Sequence, residues 1–402
     1  LGKQGKLSEG EIRFAKARFF RHYSRARIEM PPRGALREWG FFLFGGERMH
    51  RPVTFMGREE LGDYLFRKVP RHTYYSTAYY RNPGLPMESP EKGWMGADLI
   101  FDLDADGLPG ADELSYEEQL AAVKEEIIRL YDVFLQEHLG FSDDDMSLVF
   151  SGGRGYHIHI RKAEVLNMNS DERRQIMDYV AGAFQDFTDI FPRRRLIGSR
   201  SVKEEMMLPR DGGGWRGIVS ETYPALIQEM QILGMDASVE MMKKIGIRRD
   251  VAEHIYEHLF DNGEYDRMLR KGDLRMFGTE AESKAFLRLL EHKVRARYGV
   301  HPDIHVTPDI RRLIRLPGSL HGGTGFLVKE ISRDELDDFL PTRDAIPEIY
   351  EDKKVRVLTE DKIKIAISGE EYVIKGETEV PEPVALFLIL SGRASFPERF
   401  KT

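Results

Sequence analysis

Between Leu99 and Asp104 the chain reads Leu-Ile-Phe-Asp-Leu-Asp, and this hexapeptide restricts the fold more than any other stretch. Its apolar residues demand a buried strand, yet it carries two carboxylates. Residues two apart in an extended strand share a face. Asp102 and Asp104 therefore project together, while Leu99, Phe101 and Leu103 face a core. Carboxylates this close repel unless a cation neutralises them. Oxygen donors at a strand end suit Mg²⁺ or Mn²⁺ better than zinc. The bland alternative is a pair of acidic residues at a strand exit, facing water. The long apolar lead-in favours a functional pair. Asp106 is less persuasive because it already lies in the following loop.

A second stretch, Ser151-Gly152-Gly153-Arg154-Gly155, reads as a flexible turn between two strands, Leu148–Phe150 and Tyr156–Arg161. Its glycines free backbone N–H groups to approach an anion, and Arg154 adds a charged donor. His157, His159 and Arg161 then share one strand face, opposite Tyr156, Ile158 and Ile160. Two imidazoles and a guanidinium directly after such a turn favour a site over a solvated polar face.

A third stretch runs from His301-Pro302-Asp303 to Arg315-Leu316-Pro317-Gly318-Ser319-Leu320-His321. Strand signal returns at Ile304–Val306, which would put Asp303 and His305 on one face. Thr307 and Pro308 suit the start of a short helix. Ile310, Leu313 and Ile314 would form its buried stripe, with Arg312 and Arg315 away from it. Arginines on an amphipathic helix are common, so this segment gains meaning only beside the other two. Together, metal-holding carboxylates and phosphate-holding cations are the parts needed for phosphoryl or nucleotidyl transfer.

The 402 residues exceed a typical single core, so more than one subdomain is expected. Cysteine is absent, which excludes disulfides and any cysteine-based zinc site and fits a reducing cytoplasm. No apolar run approaches about 18 residues and no signal-peptide pattern stands out, so a cytoplasmic protein without membrane association is expected. The net charge of −7 rules out a uniformly basic nucleic-acid binder but allows a basic channel on an acidic body. Two local basic runs exist: Arg193-Arg194-Arg195 with Arg200, and Lys243-Lys244 with Arg248-Arg249. Such runs are more often solvated faces than nucleic-acid contacts.

Along the chain, Trp39–Phe44, Gly45-Gly46 and Met49–Phe55 read as a hairpin. The best-signalled helix starts at Ser115, with Glu118 as capping-box partner. Leu120, Val123, Ile127, Leu130 and Phe134 repeat along it, and Gly140 stops it. Residues from about 165 to 297 read as a mostly helical insertion. Lys362–Ile367 alternates as a strand with three isoleucines on one face, and Pro381-Glu382-Pro383 opens a final apolar segment. The expected division is a catalytic domain over residues 1–345, including the insertion, and a C-terminal extension over 346–402.

Taken together, order and spacing resemble the small, catalytic subunit of the archaeal and eukaryotic type of DNA primase, most closely its archaeal members. The family's paired-aspartate strand falls on Asp102-Leu103-Asp104, its turn on Ser151, Arg154 and His157, its third aspartate on Asp303, and its basic-to-histidine stretch on Arg315 to His321. Arg37-Glu38, Arg51 and the run from Val69 to Tyr80 add to the match, which spans roughly residues 35–325. The resemblance implies the primase-polymerase fold, an α/β (α+β) arrangement with a mixed or antiparallel sheet core and a helical insertion subdomain. It implies template-directed primer synthesis from nucleoside triphosphates on single-stranded DNA, alongside a primase large subunit. It implies that Asp102, Asp104 and Asp303 bind two ions of Mg²⁺ or Mn²⁺, about 3.5–4 Å apart in such sites. Ser151, Arg154, His157, Arg315 and His321 would hold the incoming nucleotide, with Glu38 and Arg51 nearby. Two departures stand out. Many relatives carry a Cys/His zinc knuckle that this chain cannot build from cysteine, so no structural zinc is expected. Gly153 stands where some relatives have a second basic residue.

Three other readings compete. Leu99–Gly107 superficially resembles the first motif of haloacid-dehalogenase-type phosphatases, with an aspartate nucleophile. That motif continues with Gly-Thr, however, and Ala105-Asp106 stand there instead. A single-strand-binding module would use the tyrosine-rich stretch 74–80 as a stacking platform. Three acidic positions at one site would oppose polyanion binding without metal. An end-joining polymerase of the same superfamily is a same-class alternative.

Overall fold

The computed structural model of the chain describes residues 7–197, 202–261 and 265–397, which form two compact units. The first comprises residues up to Tyr131, Phe141–Met177 and the residues from His301 onward. The second comprises Asp132–Gly140 and Asp178–Val300.

Helix α1 (Glu9–Tyr23) opens on a capping box between Ser8 and Glu11. Strands β1 (Trp39–Leu43) and β2 (His50–Val53) form the expected hairpin, followed by α2 (Arg58–Lys68), β3 (Pro70–Ser76), β4 (Ala78–Tyr80) and β5 (Trp94–Ala97). Strand β6 (Leu99–Asp104) leads to α3 (Tyr116–Arg129), where Ser115 and Glu118 cap each other as their spacing predicts. Strands β7 (Met146–Phe150) and β8 (Gly155–Ile160) flank the glycine-rich turn, and α4 (Ala163–Leu166) and α5 (Ser170–Val180) follow.

The second unit holds hairpin β9 (Arg193–Ile197) and β10 (Val202–Met206), then α6 (Trp215–Lys244), α7 (Arg249–Phe260), α8 (Tyr265–Lys271) and α9 (Glu280–Tyr298). Gly234, at φ 75° and ψ 177°, breaks α6 into two segments. Tyr223, Ile227, Ile255, Leu259, Phe286 and Leu290 are buried within this unit. The helical reading of 165–297 thus captures most of it, but not the hairpin. The basic runs here are largely paired: Arg194 with Glu205 at 3.0 Å, Lys243 with Glu240 at 2.6 Å and Arg249 with Glu253 at 2.7 Å. They read as solvated ion-pair faces. Arg200 lies outside the described residues.

The chain resumes in the first unit with β11 (Leu313–Arg315), β12 (Lys329–Ile331), α10 (Arg333–Leu336), α11 (Pro341–Asp344), the long hairpin β13 (Lys354–Ile367) and β14 (Glu370–Pro381), and α12 (Glu382–Leu390). Two four-stranded sheets, β11-β3-β1-β2 and β12-β7-β8-β6, organise the unit. Every pairing in both is antiparallel. Trp39, Phe41 and Tyr75 from the first sheet pack with Phe19, Ile100, Ile314, Leu386 and Leu390. Each such side chain contributes about 1.5–3 kcal/mol by leaving water. Residues 346–397, read from sequence as an extension, thus supply Ile349, Leu386 and Leu390 to this core. Ile365 and Ile367 are buried and Ile363 half-buried on one face of β13, as the alternation predicts. Among the described residues, no helix is long and apolar enough to cross a membrane.

Two sequence expectations fail between Asp303 and Arg315. Ile304–Pro308 is a turn, not a strand, and no helix follows Pro308. Instead Leu313–Arg315 forms β11, antiparallel to β3, with Arg315 opposite Tyr74. The apolar spacing of Ile310, Leu313 and Ile314 fits a helix, but a short apolar run does not distinguish helix from strand. The free edge of β3 supplies the deciding hydrogen bonds.

Candidate active site

Strand β8 is buried along its whole length and lies at the centre of its sheet, between β7 and β6. Its register with β6 sets Asp102 opposite His157 and Asp104 opposite Gly155. A Cβ at position 155 would stand 2.4 Å from the Leu103 carbonyl oxygen, so only glycine fits there. The Asp102 side chain is 19% exposed and that of Asp104 is 43% exposed, so both reach the surface from a buried strand.

The other edge of β6 is covered by the loop that carries Asp303. The Asp303 N–H donates to the Asp102 carbonyl at 2.8 Å, and the Thr307 hydroxyl donates to the Ile100 carbonyl at 2.7 Å. The Asp303 carboxylate accepts the His305 N–H at 2.8 Å. Burial pushes the Asp102 carboxyl up to about 7, and the charge of Asp303 pushes in the same direction. Arg312 and Arg315 oppose that rise. Burial also raises Asp104. The three predicted carboxylates are therefore neighbours. Among the described residues, no three His, Asp or Glu side chains stand close enough to grip an ion as placed. The donor set nonetheless fits a hard divalent cation: oxygen ligands, mutual repulsion, and one carboxyl raised by burial and by a neighbouring carboxylate.

Arg154 reaches back from the turn. Its guanidinium lies 2.5 Å from Asp106 Oδ1, donates to Gln119 Oε1 at 3.0 Å and is 3.9 Å from Asp104 Oδ1. Asp106, less persuasive from sequence because it follows the strand, is thus the main partner of Arg154. Ser151 Oγ accepts the Gly153 N–H at 3.2 Å, and the Gly153 carbonyl accepts the Tyr116 hydroxyl at 2.8 Å. Gly152 has a φ of 78°, and a Cβ there would fall 2.6 Å from the His321 Cβ. That close approach seats the His321 loop directly on the turn, where Thr324 Oγ1 donates to the Gly152 carbonyl at 2.5 Å.

A cationic and imidazole cluster completes the neighbourhood. Arg315 Nη1 lies 2.7 Å from His72 Nδ1, which also accepts the Gly322 N–H at 3.3 Å. Arg71 Nε donates to the Gly322 carbonyl at 2.8 Å. The Arg315 guanidinium sits over the Tyr74 ring, 5.0 Å from its centroid, and the His72 and His321 rings meet edge to face at 5.3 Å. Burial lowers His72 and His321 well below the usual histidine value, and the charge of Arg315 lowers both further. Burial likewise brings His157 down to about 3. All three are neutral imidazoles at physiological pH.

The structure therefore gathers Asp102, Asp104, Asp303, Ser151, Arg154, His157, Arg315 and His321 around two sheet edges and three turns. Glu38 and Arg51 form a separate pair at 2.7 Å, and the buried Lys92 approaches Glu38 at 2.9 Å. Arg71 and His72 were given no role from sequence, because their link to Arg315 and Gly322 depends on the pairing of β3 with β11.

Residues 101–333 match the sequence model of the family described as the DNA primase small subunit. The DNA primase small subunit PriS of Methanocella arvoryzae is 39% identical over 395 residues, covering 95% of this chain and 98% of that protein. The chain belongs to the DNA primase small subunit family. The PriS of Methanococcoides burtonii is 36% identical over 95% of this chain and 98% of its own, and that of Halorubrum lacusprofundi 37% over 96% and 98%. The fold is accordingly the α+β fold of a primase small subunit, and the activity is that of a DNA-directed nucleotidyltransferase, a primase. The matched segment of this primase subunit contains the three aspartates, the glycine-rich turn and the stretch from Arg315 to His321. Glu38 and Arg51 precede it. The phosphatase and binding-module readings fall away.

Proposed function

We propose that this primase subunit synthesises short primers on single-stranded DNA from nucleoside triphosphates by two-metal nucleotidyl transfer. Asp102, Asp104 and Asp303 would hold two ions of Mg²⁺ or Mn²⁺. The observation that carries this reading is Asp102 itself. It is raised by burial and by the charge of Asp303, with Arg312 and Arg315 close enough to oppose the rise. Bound there, the ions would activate the primer 3′-hydroxyl and neutralise the triphosphate.

The chain's own residues bind and orient the nucleotide. His321 Nδ1 meets the Gly323 N–H at 3.2 Å and Thr324 Oγ1 at 3.1 Å, so that nitrogen is engaged within its own loop. Nε2 would be the ring atom offered to a phosphate oxygen. His157 Nδ1 is buried without a hydrogen-bond partner among the described residues. Arg154 and Arg315 supply guanidinium donors suited to phosphate, and Ser151 shapes the turn. Glu38 holds both Arg51 and Lys92, shaping the neighbouring sheet.

With a net charge of −7, attraction to DNA must come from local groups, and a large subunit completes template engagement. The proposed setting is the cytoplasm. The test is incubation with single-stranded DNA, nucleotides and Mg²⁺ or Mn²⁺, with and without the large subunit, followed by product sizing. Products of discrete short length that disappear with Asp102→Asn support the reading, and their persistence in that variant overturns it.

A further inference from the structure

The loop that carries Asp303 is held from outside the carboxylate cluster. Glu126 lies on α3, one position before Ile127 of the buried stripe, and is only 5% exposed. Its Oε2 accepts the His301 backbone N–H at 2.8 Å, and its Oε1 lies 2.8 Å from His301 Nδ1. One carboxylate thus grips both the backbone and the ring of the same residue. This fixes the position and orientation of the peptide two residues before Asp303. The intervening Pro302 is buried, and the next N–H is the one Asp303 donates to Asp102. The turn after β6 comes close to the same residue: a Cβ at Gly107 would stand 3.1 Å from the His301 carbonyl oxygen.

A buried carboxylate is costly unless it is well hydrogen-bonded, so a glutamate beside an apolar helical stripe needs a reason. A packing role alone would be met by leucine. The bidentate grip instead settles where the Asp303 loop meets β6, whose short turn has no regular secondary structure to hold it.

We propose that Glu126 is a positioning residue for the divalent-metal site, acting through His301 to set Asp303 against Asp102. The assignment rests on the reading that Asp102, Asp104 and Asp303 hold metal, and adds a residue that touches neither metal nor substrate. Groups that orient ligands from behind set metal affinity as well as stability, and losing one costs about 10–100-fold in affinity.

The test is Mn²⁺ binding to the full chain, followed through the electron paramagnetic resonance signal of free Mn²⁺. Wild type, Asp303→Asn, Glu126→Gln, Glu126→Ala, His301→Ala and the Glu126→Ala/His301→Ala double variant are compared, with thermal unfolding measured on each. Asp303→Asn should lose tight binding. Glu126→Ala should weaken it about tenfold or more. Glu126→Gln keeps the shape and one acceptor, so it should fold as wild type and weaken binding by less. Adding His301→Ala to Glu126→Ala should cause little further loss, because the two act as one unit. Wild-type Mn²⁺ affinity in Glu126→Gln and Glu126→Ala, with binding still lost in Asp303→Asn, overturns the positioning role while leaving the metal site standing. Wild-type affinity in Asp303→Asn overturns the metal reading and the positioning role together.

Discussion

His157 Nε2 lies 3.4 Å from Asp102 Oδ1, because the two residues face each other where β8 pairs with β6. Burial holds the imidazole neutral, at about 3, while it raises the carboxyl to about 7. The contact therefore joins a neutral ring to a carboxyl raised by burial, and the charges of Arg312 and Arg315 lower both.

Asp102→Asn and Asp104→Asn should each lower nucleotide incorporation by about 100-fold or more, since a metal-site carboxylate is worth several kcal/mol in the transition state. Removing one of several crowded carboxylates relieves repulsion, so the melting temperature without metal should stay level or rise. Primer-extension rates and thermal melts on the same preparations check both halves.

Arg154→Ala and His321→Ala should act mainly on nucleotide affinity. A donor to a charged phosphate oxygen, lost from the site, costs about 1.5–3 kcal/mol, or roughly 10–100-fold in KM. Arg154→Lys should recover only part of this, because a single ammonium cannot reach Asp106 and Gln119 together with a phosphate. Steady-state KM against kcat for each variant decides the matter.

The buried pair of Arg37 and Asp98, both inaccessible to solvent and 2.8 Å apart, should be a stability determinant. Arg161 Nε also approaches Asp98, at 3.3 Å, and Arg173 donates to its backbone carbonyl at 2.7 Å. Asp98→Ala should cost about 3–5 kcal/mol in urea unfolding, as expected when one partner of a buried ion pair is removed.

Stability should fall on acidification in two stages. Burial depresses His159 to about 3, so below about pH 6.5, where an exposed histidine takes up its proton, the unfolded state gains protons that the folded state refuses. Burial pushes Asp98 up, but His159 at 3.9 Å and the charges of Arg37 and Arg161 outweigh it and hold the carboxyl well below its usual range. Its contribution is therefore complete above about pH 4 and is lost as pH falls below that. Urea unfolding from pH 8 to pH 3 should show a decline that starts below about pH 6.5, to which the other buried imidazoles His72, His157 and His321 add, and a further loss from Asp98 below about pH 4. Asp98→Asn should flatten the second stage.

Purified protein should contain no stoichiometric zinc by elemental analysis. Chelation should abolish incorporation, and Mg²⁺ or Mn²⁺ should restore it. The melting temperature should change little on chelation, because strand β6 holds Asp102 and Asp104 by its backbone pairing with β8 rather than through an ion.

Much of the site was legible in local sequence. Asp102 and Asp104 declare their shared face through the period-two pattern of β6, and Ser115 and Glu118 declare the start of α3. Leu313–Arg315 was not legible. Its three residues read equally well as part of a helix, and the pairing partner at Tyr74–Ser76 lies more than two hundred residues earlier. Glu126 was likewise invisible, because nothing near it in sequence announces His301. Asp106 looked like loop, and only the reach of Arg154 gives it a partner.

The sequence by itself determined the candidate residues and the local frames that present them: the DxD strand, the glycine-rich turn, and the order in which carboxylates, cations and imidazoles recur. These depend on backbone periodicity and residue type, which act over a few positions. The tertiary structure alone decided which of those groups meet. It set Asp303 on the edge of β6, Arg315 against His72, and His321 on Gly152. Burial and neighbouring charge, which decide the protonation of Asp102, His157 and His321, exist only once distant strands have paired.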